Sequence, residues 1–297
     1  MLAVKNGGVW KEPIGDYVKV AGVWTPIKQQ YVKVAGVWTE IKKLNFFQRL
    51  DLLGLTTNLK LCLDPGATGS YPGSGQVFND ISGGGLVFNV GQTSAAEASD
   101  PTFTGTANGR SSEYFSSDGA DYFRMSTATP AWMQNLHKDG VLATYIMWGW
   151  APASGALVAF GTGSTAFAQI GVLVGLGSGG GMTYLVNRAN AAAGNFTTGP
   201  TFTRSVWGMY SFSINENGGA TASFMGINST YTAFNAAVTS PSVSNASYTP
   251  EVMAGGNAAS IAGSGSRLGA LAIYEGVALT QAQVTSIFEA TRARYGV

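Results

Sequence analysis

The sequence is poor in the residues that most enzyme active sites use. Its 297 residues include one histidine and one cysteine, and only 11% of them are charged. With Cys62 alone the chain has no internal disulfide, and the alternating pattern around it indicates a buried structural thiol. His137 stands in the segment LHKDG, which is typical of a surface turn. Neither residue therefore has the context of a catalytic nucleophile or base.

Several sequence motifs are also missing. Glycosidases built on a jelly roll often carry Glu-x-Asp-x-x-Glu on one strand, so that alternate carboxylates face the sugar, and this pattern does not occur. The glycine-rich segment from Gly177 lacks the lysine and the hydroxyl residue of a phosphate-binding loop. No basic cluster, zinc-ligand pattern or recognition helix points to nucleic acid. We therefore expect a protein that is not an enzyme, needs no cofactor and does not bind nucleic acid.

Long apolar runs are absent as well. The opening segment, MLAVKNGGVW, lacks the basic region and the apolar core of a secretory signal. The longest apolar stretch, TAFAQIGVLVGLG from Thr165, is too short to cross a bilayer and is interrupted by glycine. We expect a soluble protein that is made in the cytosol and is not inserted into a membrane.

What the sequence does contain is a repeat of period 14 at its start. The copies read VKNGGVWKE, VKVAGVWTP and VKVAGVWTE, and apolar and polar residues alternate on both sides of a small turn. This pattern predicts one short β-hairpin in each copy and a separate module over residues 1–43. Each copy contributes one tryptophan and one turn glycine: Trp10, Trp24, Trp38, Gly8, Gly22 and Gly36.

The turn in the later copies contains an alanine before the glycine. Alanine resists the left-handed conformation that the first position of a two-residue type I′ turn requires. We therefore favour a type I turn through Val20, Ala21 and Gly22, although the pattern leaves the register open.

Short hairpins are marginally stable alone, and three of them bury little apolar surface. We therefore predict that the tryptophans and turn glycines of the repeats are assembly residues. They would pack the hairpins against each other, against copies in a homo-oligomer, or against a larger particle. In the alternative interpretation each tryptophan covers only its own hairpin, stacked on a lysine. Seven of the nine lysines lie in residues 1–43, a spacing typical of solvated strand edges.

The rest of the chain has the composition of an all-β protein. Forty-one glycines, with many small polar residues, suit short strands joined by tight turns. Apolar spacings of three and four predict a short helical connector over residues 44–56. A second helix is expected after the N-cap Thr280, ending near Tyr295 and Gly296. Its apolar stripe would dock on the sandwich through Val284, Ile287, Phe288 and Thr291.

Residues 57–297 resemble the concanavalin-A-like, laminin-G-like jelly-roll domains. The segment LKLCLDPGATGSYPGSGQVFNDISGGG is similar to their opening strand and loop, and EYFSSDGADYFRM to a strand, an Asp-Gly turn and a following strand. WGMYSFSINENGGATASFMGIN resembles a later strand pair, and LGALAIYEGVALTQAQVTSIFEATRARYGV the closing strand and terminal helix. The resemblance implies a jelly-roll β-sandwich with a short C-terminal helix.

The N-terminal phrases of the kind YVKVAGVWT resemble tandem repeats near the ends of tail and fibre proteins of tailed bacteriophages. Joined to a jelly roll, they imply a virion protein: a tail-fibre, spike or head-decoration subunit assembled in the host cytoplasm and exposed on the particle. Its partners would be other virion proteins and copies of itself, which we expect to form a trimer. Two functions stay open. The protein is either a structural subunit without a ligand or an adhesin that binds host surface polysaccharide with avidity, and a glycosidase with an unusual site is a third reading.

Two tryptophans are candidates for contact with a glycan. Trp148 and Trp150 lie two residues apart and would share one face of a strand. They would stack on sugar rings or, as aromatic pairs on a sandwich strand more often do, fill the core.

A few acidic residues are candidates for a calcium site, which some relatives of the jelly-roll family have. Asp118 and Asp121, together with Asn79 and Asp80, would supply the oxygen ligands. Their spacing matches no fixed calcium loop. Capping of turns by the aspartates is the simpler interpretation.

Overall fold

The structure, a computed structural model, describes residues 4–6, 9–11, 17–20, 23–26, 31–34, 37–40, 43–163, 169–188, 191–196, 199–234 and 244–297. The chain divides into two compact units, Met1–Leu44 and Asn45–Val297. Among the described residues, none of the helices is long and apolar enough to cross a membrane.

The first unit consists of paired strands, one pair for each repeat. These strands are β1 (Val4–Asn6), β2 (Val9–Lys11), β3 (Tyr17–Val20), β4 (Val23–Pro26), β5 (Tyr31–Val34) and β6 (Val37–Glu40). All three pairs are antiparallel, so each repeat forms the predicted β-hairpin. Each tryptophan lies opposite a lysine of the partner strand: Trp10 opposite Lys5, Trp24 opposite Lys19, and Trp38 opposite Lys33.

The hairpin register differs from the turn that the sequence suggested. Val20 pairs directly with Val23, which leaves two residues between the strands and not the longer connection through Val20. The predicted turn glycines Gly8, Gly22 and Gly36 lie outside the described residues.

In its described residues the second unit combines many short strands with three α-helices. Its strands are β7 (Leu59–Leu63), β8 (Val77–Asn79), β9 (Val87–Val90), β10 (Thr102–Thr104), β11 (Tyr114–Ser116), β12 (Phe123–Met125), β13 (Leu142–Trp150), β14 (Leu157–Gly161), β15 (Gly171–Leu176), β16 (Met182–Arg188), β17 (Ala191–Phe196), β18 (Trp207–Asn215), β19 (Phe224–Ile227), β20 (Thr230–Ala233), β21 (Glu251–Val252), β22 (Ala254–Gly255), β23 (Ser260–Ile261) and β24 (Arg267–Glu275). The helices are α1 (Phe46–Leu52), α2 (Ala131–Asn135) and α3 (Gln281–Tyr295), with 3-10 turns at Glu216–Gly218 and Ala220–Ala222.

Two antiparallel sheets form a sandwich. Sheet I has the order β10-β11-β24-β13-β18-β19-β20, and its eighth strand, β7, also pairs with β24. Sheet II has the order β17-β16-β15-β14-β21-β12-β9-β8, and β22 and β23 form a separate small pair. The predicted all-β sandwich with a C-terminal helix is confirmed.

The main core lies between the two sheets and is rich in phenylalanine. Phe78 and Phe123 of sheet II meet Phe115 of sheet I, with ring centroids 4.8–5.1 Å apart. A second core lies on the outer face of sheet I, where helices α1 and α3 cover it. The long strands β13, β18 and β24 are therefore buried on both faces along most of their length. The predicted buried thiol, Cys62, belongs to this second core.

Helix α3 follows the sequence prediction closely. Thr280 caps it and exchanges hydrogen bonds with Gln283 in a capping box, and Gly296 ends it in the left-handed conformation at φ 70°. The predicted stripe of Val284, Ile287, Phe288 and Thr291 is buried. Helix α1 is capped in the same way by Asn45 and Gln48, and it belongs to the second unit.

A buried ionic network joins α3 to the start of the sandwich. The Arg294 guanidinium donates to both oxygens of Asp64, at 2.7 and 2.5 Å, and lies 3.7 Å from Glu113. Asp64 also accepts hydrogen bonds from the backbone N–H groups of Phe46, at 2.8 Å, and Gly66, at 2.9 Å. Burial raises the pKa of Asp64, but the charge and hydrogen bonds of Arg294 outweigh it and hold that pKa below its ordinary value.

Candidate functional site

The two tryptophans of β13 have different environments. Trp148 is fully buried beneath α3, where its ring stacks on Tyr295 with centroids 4.4 Å apart. Its indole Nε1–H donates to Thr291 Oγ1 at 3.0 Å. Because α3 covers this part of sheet I, the ring has no exposed face for a sugar. The predicted glycan contact of Trp148 is therefore wrong, and the residue belongs to the core.

Trp150, at the end of β13, is half-buried and lies in a row across the sheet. Trp207, the first residue of β18, is directly opposite on one side, and Arg267, the first residue of β24, is opposite on the other. On the next strand Ser116 pairs with Arg267, which brings Tyr114 of β11 to the same end of the sheet. Strands that start or stop at this point thus bring together side chains far apart in sequence.

These four residues form a closed cluster, the aryl–arginine cluster, made of Tyr114, Trp150, Trp207 and Arg267. Trp150 and Trp207 meet edge to face with centroids 6.1 Å apart, and Trp207 and Tyr114 do so at 5.7 Å. The Arg267 guanidinium carbon lies over the Trp150 ring at 4.5 Å and over the Tyr114 ring at 4.9 Å. All four side chains are half-buried, so part of each is open to solvent.

The cluster rests on the core beneath α3. Trp207 contacts Tyr295 at 4.9 Å between ring centroids, and Tyr295 stacks on Trp148. A register shift between β13 and β24 occurs beside this contact, where Gly269 lies. A Cβ atom on Gly269 would come within 2.5 Å of the Tyr295 ring, so only glycine leaves room for it. The half-buried rings of the cluster therefore lie on a second layer of packed aromatic rings, those of Tyr295 and Trp148.

Such a cluster offers two kinds of contact to a ligand. The indole and phenol rings present apolar area with a fixed geometry, which suits the C–H face of a sugar ring. The guanidinium presents N–H donors beside that surface. Aromatic side chains with a few placed polar groups are the usual lining of small-molecule sites.

A shallow groove lies elsewhere on the second unit. It has a volume of about 390 Å3 and is lined by β14, β15, Thr183 of β16 and the segment 259–261. Its described lining includes Leu157, Leu173 and Leu176, with only hydroxyl groups as polar side chains and no aromatic ring or charge. The aryl–arginine cluster is therefore the better candidate for recognition of a polar ligand.

Three of the predicted calcium ligands, Asp80, Asp118 and Asp121, accept hydrogen bonds from backbone N–H groups. Asp121 accepts a hydrogen bond from the Asp118 backbone at 2.8 Å, and Asp118 accepts one from Ala120 at 2.9 Å. Asp80 likewise accepts hydrogen bonds from backbone N–H groups, those of Cys62, Ser82 and Gly84. Among the residues that the structure describes, no group of three or more acidic, histidine or cysteine side chains is arranged to hold a metal ion. One carboxylate oxygen of Asp118 and one of Asp121 are thus engaged with the backbone, as the turn-capping interpretation expects, and the calcium role of these two residues stays a prediction.

Burial, together with the neighbouring carboxylates, raises the pKa of Asp121 to about 6. The Asp118 N–H bond opposes this rise, while the charges of Asp118 and Asp100 add to it. The carboxyl is therefore partly protonated near neutral pH.

His137 is buried and does not lie on a surface turn as predicted. Its Nε2–H donates to the Ser244 carbonyl at 2.8 Å, and its own carbonyl accepts from Arg188 at 2.5 Å. Arg188 also binds Glu216, with N···O distances of 2.7 Å, and this pair draws the LHKDG turn inward. Burial lowers the pKa of His137, so the ring is neutral at pH 7.

Comparison with known proteins addresses the fold. No protein-family model matches the chain, and no curated protein matches it. Solved structures do match it. The binding domain of botulinum neurotoxin DC in complex with SialylT is 9% identical, with a TM-score of 0.55 over 79% of this chain and 52% of that one. The second unit is a β-sandwich of this kind.

Two further solved structures give the same picture. One is a structure of botulinum neurotoxin type C, described by the dependence of its cell entry on interaction with two ganglioside molecules. It is 11% identical, with a TM-score of 0.54 over 80% of this chain and 52% of that one. The receptor-binding domain of botulinum neurotoxin type G is 14% identical, with a TM-score of 0.51 over 78% and 51%. The chain thus spans about half the length of the proteins it matches, and the likeness concerns the fold.

Sequence reasoning found only one member of the cluster. The sequence makes Trp150 a candidate, whereas Tyr114 and Trp207 stand in segments predicted only as strands and Arg267 stands in none of the predicted segments. Local patterns place each of them at the start of a strand, but their proximity depends on which strands are neighbours and in what register. The predicted assembly residues Trp10, Trp24 and Trp38 lie on strands β2, β4 and β6. Their role in assembly stays a prediction.

Proposed function

We propose that the second unit binds a glycan on the surface of a host cell and that the aryl–arginine cluster is the contact surface. The observation that carries this proposal is the row of half-buried Trp150 and Trp207 beside Arg267, in which Trp207 packs on Tyr295. Rigid aromatic rings cost little conformational entropy on binding and supply much contact area. The matched structures whose titles name SialylT and ganglioside molecules have the same sandwich fold and support the proposal.

The proposed role of the first unit is attachment to a virion. The protein would be a non-enzymatic tail-fibre, spike or decoration subunit, fixed to other virion proteins through its hairpins and assembled as a trimer. The support is the three-fold repeat, in which every copy keeps the same tryptophan opposite the same lysine. Several copies of a weak glycan site on one particle would then act together through avidity.

A glycan array with the full-length protein tests the binding role. Trp150→Ala and Trp207→Ala should each weaken binding at least tenfold, a loss of about 1.4 kcal/mol. Tyr248→Ala is the matched control, because Tyr248 is also a half-buried aromatic residue but lies near the other sheet. The residue before it, Ser247, donates its backbone N–H to the carbonyl of Ile170, just before β15 of sheet II. Binding that persists in both tryptophan variants would refute the assignment of the cluster. Particle incorporation without binding to any saccharide would favour a purely structural subunit.

Light scattering tests the assembly role. The wild-type protein is expected at the mass of a trimer, and a variant with Trp10, Trp24 and Trp38 changed to serine at the mass of a monomer. A second variant with Lys5, Lys19 and Lys33 changed to serine is the control, because those residues lie opposite the tryptophans. A monomeric wild-type protein would refute the trimer and leave docking on another virion protein to be tested with purified particles.

A further inference from the structure

Arg267 differs from the other arginines of the chain in what its guanidinium contacts. Seven arginines donate at least one hydrogen bond to a protein oxygen: Arg49, Arg110, Arg124, Arg188, Arg204, Arg292 and Arg294. Within the part of the chain that the structure describes, Arg267 has no such acceptor and no acidic partner. Its guanidinium instead lies over the rings of Trp150 and Tyr114, in two cation–π contacts.

These ring contacts fix the guanidinium without using its donors. A guanidinium stacks through its faces and donates hydrogen bonds through its edge, so two aromatic neighbours leave the N–H fork free. The side chain is half-buried between the rings, which lowers its freedom before any ligand binds. Binding to this arginine therefore costs less side-chain entropy than binding to a solvated one. The apolar rings also exclude water and strengthen an electrostatic contact made there.

We propose that the aryl–arginine cluster selects an anionic saccharide and that Arg267 binds its charged group. This inference rests on the proposed glycan-binding function and narrows its ligand class. A single unpaired cation beside sugar-stacking rings matches a single oxyanion, a carboxylate or a sulfate ester, carried by a pyranose ring. The planar N–H fork binds such a group bidentately, and the neighbouring Trp150 and Trp207 rings contact the sugar.

The test is a glycan array in which sialylated, uronate-containing, sulfated and neutral saccharides are present together. Wild-type protein should bind anionic members and bind their neutral counterparts, such as lactose beside sialyllactose, at least tenfold more weakly. Arg267→Gln should lose that preference, and Arg267→Lys should restore only part of it because it keeps the charge without the fork. Methyl esterification of the bound saccharides separates the two sources, since it neutralises a carboxylate and so abolishes binding through it, whereas a sulfate ester keeps its charge and its binding.

Controls separate this proposal from the one on which it rests. Arg292→Gln removes an exposed positive charge elsewhere and should leave the preference unchanged. Raising the salt concentration should weaken anionic binding in the wild type and have little effect in Arg267→Gln. Neutral saccharides bound as tightly as anionic ones, or a preference that survives Arg267→Gln, would overturn the role of Arg267 while glycan binding stands. Absence of any saccharide binding by the wild type would overturn both.

Discussion

The buried pair of Arg294 and Asp64 gives the sharpest prediction about stability. The two side chains are 2% and 0% exposed, and the change Arg294→Met would leave the Asp64 carboxylate without its counter-ion. Breaking a buried pair from one side costs about 3–5 kcal/mol. Two backbone N–H groups, from Phe46 and Gly66, still donate to Asp64, so we expect a loss near the lower end, about 3 kcal/mol at pH 7. Urea unfolding followed by tryptophan fluorescence measures it.

The pH dependence of this loss follows from the pKa of Asp64. In the wild type that pKa lies below its unfolded value, so the pair stabilises the fold above the unfolded pKa of about 4 and this contribution fades as the pH falls through the folded pKa. In Arg294→Met only the two backbone N–H groups still oppose burial, so the pKa of Asp64 rises. Protonation of Asp64 then removes the unpaired charge of the variant in acid. The difference in unfolding free energy between the variant and the wild type should therefore shrink from pH 7 to pH 5.

The control is Arg292→Met on the same helix. Arg292 and its partner Glu289 are 47% and 54% exposed, and an exposed pair contributes at most about 1 kcal/mol. An Arg294→Met variant no less stable than Arg292→Met, or a deficit that stays constant from pH 7 to pH 5, would refute the reasoning.

Two other changes probe the second unit. Asp121→Asn keeps the acceptor for the Asp118 N–H and removes a charge. The folded pKa of Asp121, about 6, lies above its unfolded value of about 4, so the wild type loses stability as the pH rises from about 4 to about 6. The variant should therefore melt higher than the wild type at pH 8 and at the same temperature near pH 3, and a difference independent of pH would contradict this. Thr291→Val leaves the Trp148 indole N–H buried without an acceptor and should lower the free energy of unfolding in urea by about 1–3 kcal/mol. Thr291→Ser keeps the hydroxyl and should retain most of that free energy. Equal stability of the Val and Ser variants would argue against the hydrogen bond.

Elements defined by local signals could be predicted from the sequence in detail. Helix α3 begins at Thr280, ends at Gly296 and buries the predicted stripe, because a cap, a left-handed glycine and a period of 3.6 all lie within one short segment. The hairpins were predicted for the same reason. The sandwich followed from the abundance of short alternating strands and turn residues.

Features that depend on distant pairings could not be predicted. The burial of Trp148 is caused by α3, which is 143 residues away at the Thr291 contact. His137 is drawn inward by Arg188, which lies 51 residues further along the chain. The aryl–arginine cluster likewise exists because β11, β24, β13 and β18 are neighbours in sheet I, an order that no local pattern contains.

The pairing of the hairpins bears on how the N-terminal region can evolve. Each ladder of backbone hydrogen bonds closes within a single 14-residue copy, and in the described strands each copy pairs with itself. Deleting or duplicating one whole copy therefore leaves the ladders of the remaining copies complete. Unequal recombination between nearly identical coding segments changes the copy number without requiring a compensating change in the strands that remain.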